Sequence, residues 1–187
     1  MAGGVLIYAG ATAVAAIIAT RAARANPAQA DLGRAAGVVV GIFLASLVWS
    51  SALRAGADLL GTPAGRPWSM VIYPPLDGAF LAWVGWSAFQ QFRVWKLILG
   101  LLVLFQLIVH VPYWGIVWGG GQTETLDLHY IILLNSSYTG QLVVLSGAGL
   151  LDGLSRRVRA RRGLPDHARG VRALGRRQAP ARRFAVR

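Results

Sequence analysis

Cysteine is absent from the chain of 187 residues, and charged residues are scarce. Without a thiol, the protein can form no disulfide, bind no metal through cysteine and use no thiolate as a nucleophile. Only 14% of the residues are charged and 55% are hydrophobic, whereas an average soluble domain has about 25% charged residues. This composition is typical of an integral membrane protein.

The motifs of common enzymes are also absent. The segment "GWSAF" at 85–89 lacks the last glycine of the G-x-S-x-G nucleophile elbow, and the sequence contains neither H-E-x-x-H nor a P-loop. Only three histidines are present, and His167 lies in the basic C-terminal segment, so a metal site would have few ligands. We therefore expect no enzymatic activity, no cofactor and no bound metal.

Five apolar stretches are long enough for membrane-spanning helices, each of which needs about 20 residues. They cover residues 4–20, 35–53, 70–90, 97–118 and 129–151. A signal peptide is the alternative for the first stretch, but signal peptides carry their positive charges before the apolar run. Here Arg21 and Arg24 follow it. We therefore predict a retained first helix and an all-α, polytopic bundle of about five transmembrane helices over residues 1–155.

Basic residues are distributed unevenly around these stretches. Of the 19 lysines and arginines, 17 lie in residues 21–34, 91–96 and 156–187, and the other two are Arg54 and Arg66. By the positive-inside rule, the larger group faces the cytoplasm, with the N-terminus outside and the C-terminus inside. A chain with only four of these helices would place residues 21–34 and the tail on opposite sides of the membrane, so the charge distribution favours five. We expect an inner-membrane location in a protein of bacterial or phage origin.

Residues 156–187 form an arginine-rich tail that is interrupted by glycine and proline. We predict a short helical extension to about Arg162 and disorder beyond it. Beside the inner leaflet, arginines attract anionic lipids with about 1 kcal/mol each. The arginines expected to contact anionic lipid are Arg156, Arg157, Arg159, Arg161 and Arg162. Nucleic acid is the less favoured polyanion, and a role in fixing topology alone is the simplest alternative.

Polar side chains inside three predicted helices form a candidate intramembrane cluster. Asp77, His110 and Asn135 each lie about two turns from the predicted outer end of a helix. Gln106 is one turn deeper than His110 on the same helical face. Ionisable groups at membrane depth are costly and usually functional. An ionised Asp77 would need a donor, which the His110 ring or the Asn135 amide could supply.

A simpler interpretation of Asp77 comes from its neighbours in "VIYPPLDGAF", residues 71–80. Proline is favoured at the first position of a helix, and aspartate is favoured in the first turn by the helix dipole. With Pro75 at that first position, Asp77 would only help to start the helix and would lie near the lipid headgroups. The sequence alone favours this interpretation over a functional carboxylate.

Glycines spaced four residues apart are candidates for close helix packing in lipid. The pairs are Gly37 with Gly41, Gly115 with Gly119 and Gly149 with Gly153. We expect packing roles for them and no functional role.

A small, cysteine-free, polytopic chain with a basic cytoplasmic tail resembles some phage holins in general plan. That resemblance implies a homo-oligomer that permeabilises the inner membrane, so a membrane-permeabilising or pore-type protein is the first function we expect. A small-solute or proton transport protein that uses the polar cluster around Asp77 is the first alternative. An accessory or scaffold subunit of a membrane complex, without transport, is the second. In all three cases the lipid bilayer is a partner.

Overall fold

The computed structural model of the protein describes residues 2–60, 71–119 and 124–162, and nearly all of this part is helical. Its five long helices are α1 (Ala2–Ala25), α2 (Ala30–Leu60), α3 (Tyr73–Gln90), α4 (Val94–Trp118) and α5 (Glu124–Arg161). The described residues contain no β-strand. The predicted all-α helix bundle is therefore confirmed.

Asn26 ends α1 and begins the turn into α2. Its backbone is extended, with φ −141° and ψ 103°, and its side chain accepts a hydrogen bond from the Ala28 amide at 3.1 Å. One 3-10 turn, Pro27–Gln29, follows before α2 begins. Helices α1 and α2 therefore fold back on each other. The connector predicted over residues 21–34 is confined to residues 26–29, because both helices continue into it.

Helices α3 and α4 form a second hairpin through the short connection 91–93. The Gln91 amide donates to the Ser87 carbonyl at 3.0 Å, and Arg93 has an extended backbone, with φ −144° and ψ 136°. Lys96 was predicted to lie in this connector, but it lies in the first turn of α4. The predicted start of this helix at residue 97 is therefore three residues too late.

Contacts within the chain divide it into two units, Met1–Leu150 and Leu151–Arg187. All five helices contribute buried apolar residues to the core of the first unit. They are Ala15, Ala19, Ala22, Leu32, Ala35, Ala36, Val39, Phe80, Val84, Leu99, Val103, Leu142 and Leu145. The many alanines lie on α1 and α2, where small side chains let helix backbones approach closely.

At Gly149, α5 lies against Ile18 of α1. A Cβ atom added at Gly149 would lie 2.8 Å from Ile18 Cγ2 and 3.2 Å from the Ile18 carbonyl oxygen. The predicted packing role of this glycine therefore corresponds to a real helix contact. A Cβ at Gly37, Gly41, Gly115 or Gly153 would have no neighbouring atom within 4 Å, and one at Gly119 would meet only carbonyl oxygens of the preceding turn. These five glycines therefore show no close approach of another helix, contrary to the prediction.

Helix α4 shows how the first unit separates polar from apolar side chains. Its buried face carries Lys96, Leu99, Val103, Gln106, His110 and Tyr113. Its exposed face carries Leu97, Ile98, Leu101, Leu104, Phe105, Ile108 and Val111. A soluble helix has the reverse arrangement, with charged and polar residues outside. Polar groups inside and apolar groups outside suit a helix that is surrounded by lipid.

Four of the described helices, α1, α2, α4 and α5, contain stretches that are long and apolar enough to cross a membrane. Helix α3 is not among them. It has 18 residues, and Pro74, Pro75 and Asp77 lower its apolar character. The fold is therefore compatible with a membrane protein, while a crossing by α3 stays a prediction.

The described part of the second unit is the end of α5 and Arg162. Arg156 Nε lies 2.9 Å from Asp152 Oδ2, one turn earlier. Four further arginines are exposed, namely Arg157, Arg159, Arg161 and Arg162. Their contact with anionic lipid stays a prediction. The predicted disorder beyond residue 162 lies outside the described residues.

Candidate functional site

The side chain of Asp77 lies inside the bundle and not at the helix start. Helix α3 begins at Tyr73, so Asp77 is the fifth residue, beyond the first turn. Ile72 occupies the N-cap position, and no side chain caps the helix. Asp77 is only 4% exposed. Its interpretation as a first-turn residue after Pro75 therefore does not fit the structure, because the helix begins two residues before Pro75. The end of the bundle at which α3 begins is called the Asp77 end below.

His110 connects Asp77 to Tyr130. Its Nε2 atom lies 3.2 Å from Asp77 Oδ2, and its Nδ1 atom lies 2.5 Å from the Tyr130 hydroxyl oxygen. All three side chains are buried. A neutral imidazole satisfies both contacts when the Tyr130 hydroxyl donates to Nδ1 and the Nε2–H group donates to the carboxylate. The structure therefore brings together two of the four predicted cluster residues and adds a tyrosine from α5.

Aromatic rings and a second carboxylate surround this chain of hydrogen bonds. The Tyr113 and Tyr130 rings stack with centroids 3.7 Å apart and an interplanar angle of 9°. Tyr73 stacks on His110, with centroids 6.4 Å apart. The Tyr113 hydroxyl donates to Asp127 Oδ1 at 2.9 Å. The sequence placed Asp127 in an outer loop, but it is a buried residue of α5, because this helix begins at Glu124.

Gln106 faces α5 and has a partner that the sequence did not suggest. The side-chain amide of Gln141 donates a hydrogen bond to Gln106 Oε1, and both side chains are buried. One turn before Gln106 on α4, the Leu102 carbonyl accepts a hydrogen bond from the Ser137 hydroxyl at 2.9 Å. The predicted cluster therefore continues along the α4–α5 contact as a separate pair of amides.

Asn135 is exposed, and its side chain is not the donor to Asp77 that the sequence suggested as an alternative to His110. It lies on the wall of a cavity of about 570 Å³ that Asp77 and Gln106 also line. The other lining residues are Tyr8, Val39, Ile42, Phe43, Ser46, Leu47, Ser50, Arg54, Tyr73, Ile131, Leu134, Tyr138 and Gln141. Three of the four predicted cluster residues thus share this cavity, and His110 lies behind Asp77.

A second polar site lies near the start of α4, at what is called the Lys96 end below. The Lys96 ammonium is only 2% exposed and lies 2.6 Å from Asp31 Oδ2. It also donates to the Ser87 carbonyl oxygen at 2.9 Å and to the Ser87 hydroxyl at 2.7 Å. The Ser87 hydroxyl in turn donates to Asp31 Oδ2 at 2.8 Å. Sequence reasoning had counted Lys96 only as a topology signal.

The sequence carried little signal for Tyr130, Asp127 and Asp31. Each lies near the end of a helix, where polar and aromatic residues are ordinary, and each partner lies on another helix. Among the described residues, no three His, Asp or Glu side chains are grouped so that they could hold a metal ion. No family model, curated protein or solved structure matches the chain.

Proposed function

We propose that this protein is an integral membrane protein that binds a small solute in its cavity and carries it across the bilayer. The cavity, of about 570 Å³ and lined by the buried carboxylate of Asp77, is the observation that supports this function. Sites for small molecules usually have volumes of about 300–1,000 Å³ and a few polar groups in a mostly apolar lining. Ionisable residues at membrane depth are costly and typically mark a substrate or ion pathway.

The proposed topology has five crossings, with the Asp77 end outside and the Lys96 end in the cytoplasm. Helix α3 has 18 residues, which at ~1.5 Å per residue span ~27 Å. The hydrocarbon core is about 30 Å thick, so α3 nearly crosses it, and the two prolines would lie at the outer boundary. The exposed arginines that follow residue 156 then face the inner leaflet, where they attract anionic lipid.

The solute would enter from the outer side and meet a closed path below the cavity. The hydrogen-bonded side chains of Gln106 and Gln141 line the cavity. Beyond them, towards the Lys96 end, α4 and α5 present buried apolar residues such as Val103 and Leu145. Transport therefore requires α4 and α5 to separate below the cavity. Rigid-body and hinge movements of packed helices can open a site first to one side of the membrane and then to the other.

The polar groups of α4 fit a carrier better than a pore between copies of the chain. A water-filled pore between subunits needs polar residues on an outward face. On α4, however, Gln106 and His110 are buried, and the exposed residues at comparable depth, such as Phe105 and Ile108, are apolar. The polar groups of α4 therefore face the inside of a single bundle, whereas Asn135, Ser136 and Thr139 of α5 are exposed.

Two neighbouring serines of α2 provide a matched test. Ser50 lines the cavity, whereas Ser51 is exposed and does not line it. The full chain would be reconstituted in liposomes that contain trapped calcein, and uptake of labelled amines, carboxylates, zwitterions and sugars would be measured. We expect saturable uptake of at least one class. Ser50→Phe, which fills the cavity, should abolish this uptake, whereas Ser51→Phe should preserve it.

Two outcomes would contradict the carrier. Release of calcein to a similar extent from wild type and Ser50→Phe would favour the membrane-permeabilising function. Folded protein that neither takes up nor binds any of the solutes would favour an accessory or scaffold role.

A further inference from the structure

Among the described residues that line the cavity, Asp77 and Arg54 are the charged ones. Asp77 is buried, whereas Arg54 is exposed. His110 Nε2 lies 3.2 Å from the carboxylate, and His110 is not among the residues that line the cavity. A buried carboxylate on a cavity wall favours a ligand that brings a positive charge, because an ionised carboxylate is costly to bury without a countercharge. A cationic group on the solute would supply that charge.

Aromatic rings form part of the wall of the cavity that this carboxylate lines. Tyr8, Phe43, Tyr73 and Tyr138 line the cavity. Tyr138 stacks with Phe43 at a centroid distance of 6.3 Å, and it meets Tyr8 edge-on at 6.0 Å. Ring faces attract ammonium groups through their quadrupole, and aromatic cages around such groups are a recurrent recognition mode. The same rings also pack well against an apolar body.

We propose that the solute is an organic amine, with an ammonium head at Asp77 and an apolar body against the aromatic wall. This inference rests on the proposed solute-binding function and specifies its chemical class. Most lining residues are apolar or aromatic. A small inorganic cation needs several oxygen ligands, so it would fit this lining poorly. Ser46 and Ser50 of α2 also line the cavity, and their hydroxyls would give the solute polar contacts.

Arg54 makes an anionic solute the principal competing class. Its guanidinium is always charged and binds carboxylates well. However, Arg54 is exposed near the C-terminal end of α2, whereas Asp77 is buried inside the bundle. The electrostatic preference should therefore be set by Asp77, and Arg54 should contribute little.

Three probes with a phenyl ring on a four-carbon chain separate these classes, namely 4-phenylbutylamine, 4-phenylbutan-1-ol and 4-phenylbutyrate, whose fourth carbon is that of the carboxylate. Binding of each would be measured with the full chain in lipid nanodiscs at pH 7, against empty nanodiscs to subtract partition into lipid. A charge-assisted hydrogen bond favours the amine over the alcohol by about tenfold or more in Kd. We expect that preference in wild type and in Asp77→Glu. It should be lost in Asp77→Asn and retained in Arg54→Gln, while Ser50→Phe should weaken binding of all three probes.

The outcomes separate failure of the solute class from failure of the proposed function. Equal binding of amine and alcohol, still sensitive to Ser50→Phe, would overturn the ammonium preference and leave the cavity as a binding site. Tightest binding of the butyrate, lost in Arg54→Gln, would assign an anionic solute instead. Binding of none of the probes would also overturn the amine proposal, and the uptake panel would then decide separately whether another solute is carried.

Discussion

The imidazole of His110 and the carboxylate of Asp77 lie 3.2 Å apart although 33 residues separate them in the chain. The contact joins α3 to α4 at the Asp77 end, and the second ring nitrogen of His110 extends it to α5 through Tyr130. Three helices are therefore held together by one histidine. Because all three side chains are buried, loss of the histidine leaves polar atoms without partners inside the bundle.

His110→Phe should lower the melting temperature of the purified protein in detergent. Phenylalanine keeps a ring for stacking on Tyr73, but it can neither donate to Asp77 nor accept from Tyr130. Leaving a buried polar group unsatisfied costs about 1–3 kcal/mol. The matched control is His129→Phe, because His129 is exposed and bonds only to the Thr125 carbonyl one turn earlier in the part of the chain described. Equal melting temperatures for the two variants would argue against the His110 contacts.

Removal of one partner from the Lys96–Asp31 pair should be costly, and removal of both should be less so. Asp31→Asn leaves the Lys96 ammonium, which is 2% exposed, without a countercharge, and breaking a buried pair in this way costs about 3–5 kcal/mol. Lys96→Met should cost less, because Asp31 is 24% exposed and lies 3.6 Å from Arg34. The measurement is the free energy of unfolding in mild detergent.

The double variant Asp31→Asn/Lys96→Met completes a thermodynamic cycle. It should be more stable than Asp31→Asn alone, because no buried ammonium remains. Asp58→Asn, an exposed acid on the same helix, should change stability little. Strictly additive effects of the two single substitutions would show that the ion pair does not couple α2 to α4.

The helices could be predicted from sequence because apolar runs of about 20 residues have few alternative structures. The same apolar runs predicted that Asp77 and His110 lie at a similar depth in the membrane, because the distribution of arginines gives neighbouring helices opposite directions. Lys96 and Asp31 were not recognised as a pair. A charge near a helix end agrees with the positive-inside rule whether or not it is buried, so the sequence does not show that Lys96 has a partner. Asp127 was missed because α5 begins at Glu124, before its apolar run. Hydropathy averaged along the sequence detects apolar runs. It does not detect a polar first turn whose side chains form hydrogen bonds with another helix.

Gly149→Ala should destabilise the contact between α5 and α1. The added Cβ would lie 2.8 Å from Ile18 Cγ2, and extra atoms in a packed contact typically cost about 1–3 kcal/mol. Gly41→Ala is the control, because a Cβ there has no atom within 4 Å and alanine favours the helix over glycine by about 1 kcal/mol. We expect a lower melting temperature for the first variant and an unchanged or higher one for the second.

Relief of the crowding gives a further check on this contact. Ile18→Ala removes the Cγ2 atom that the new methyl group would meet, so the double variant Gly149→Ala/Ile18→Ala should lose less than the sum of its two single substitutions. Additive losses would show that the crowding at Gly149 does not come from the Ile18 side chain.

The proposed five-helix topology can be tested directly because the chain has no cysteine. Single substitutions Ala64→Cys, Phe92→Cys and Gln122→Cys would introduce one thiol between successive helices, and a fourth, Ala160→Cys, would place one near the end of α5. A membrane-impermeant maleimide applied to intact cells should label residues 64 and 122, and after permeabilisation it should label all four. The physical reason is the positive-inside rule, which keeps Arg93, Lys96 and the arginines from Arg156 onwards in the cytoplasm.

The critical comparison is between residues 64 and 92, which flank α3. Labelling of both from the same side would mean that α3 does not cross the bilayer, in which case Asp77 would not lie on a path through the membrane and the proposed carrier would have to be abandoned.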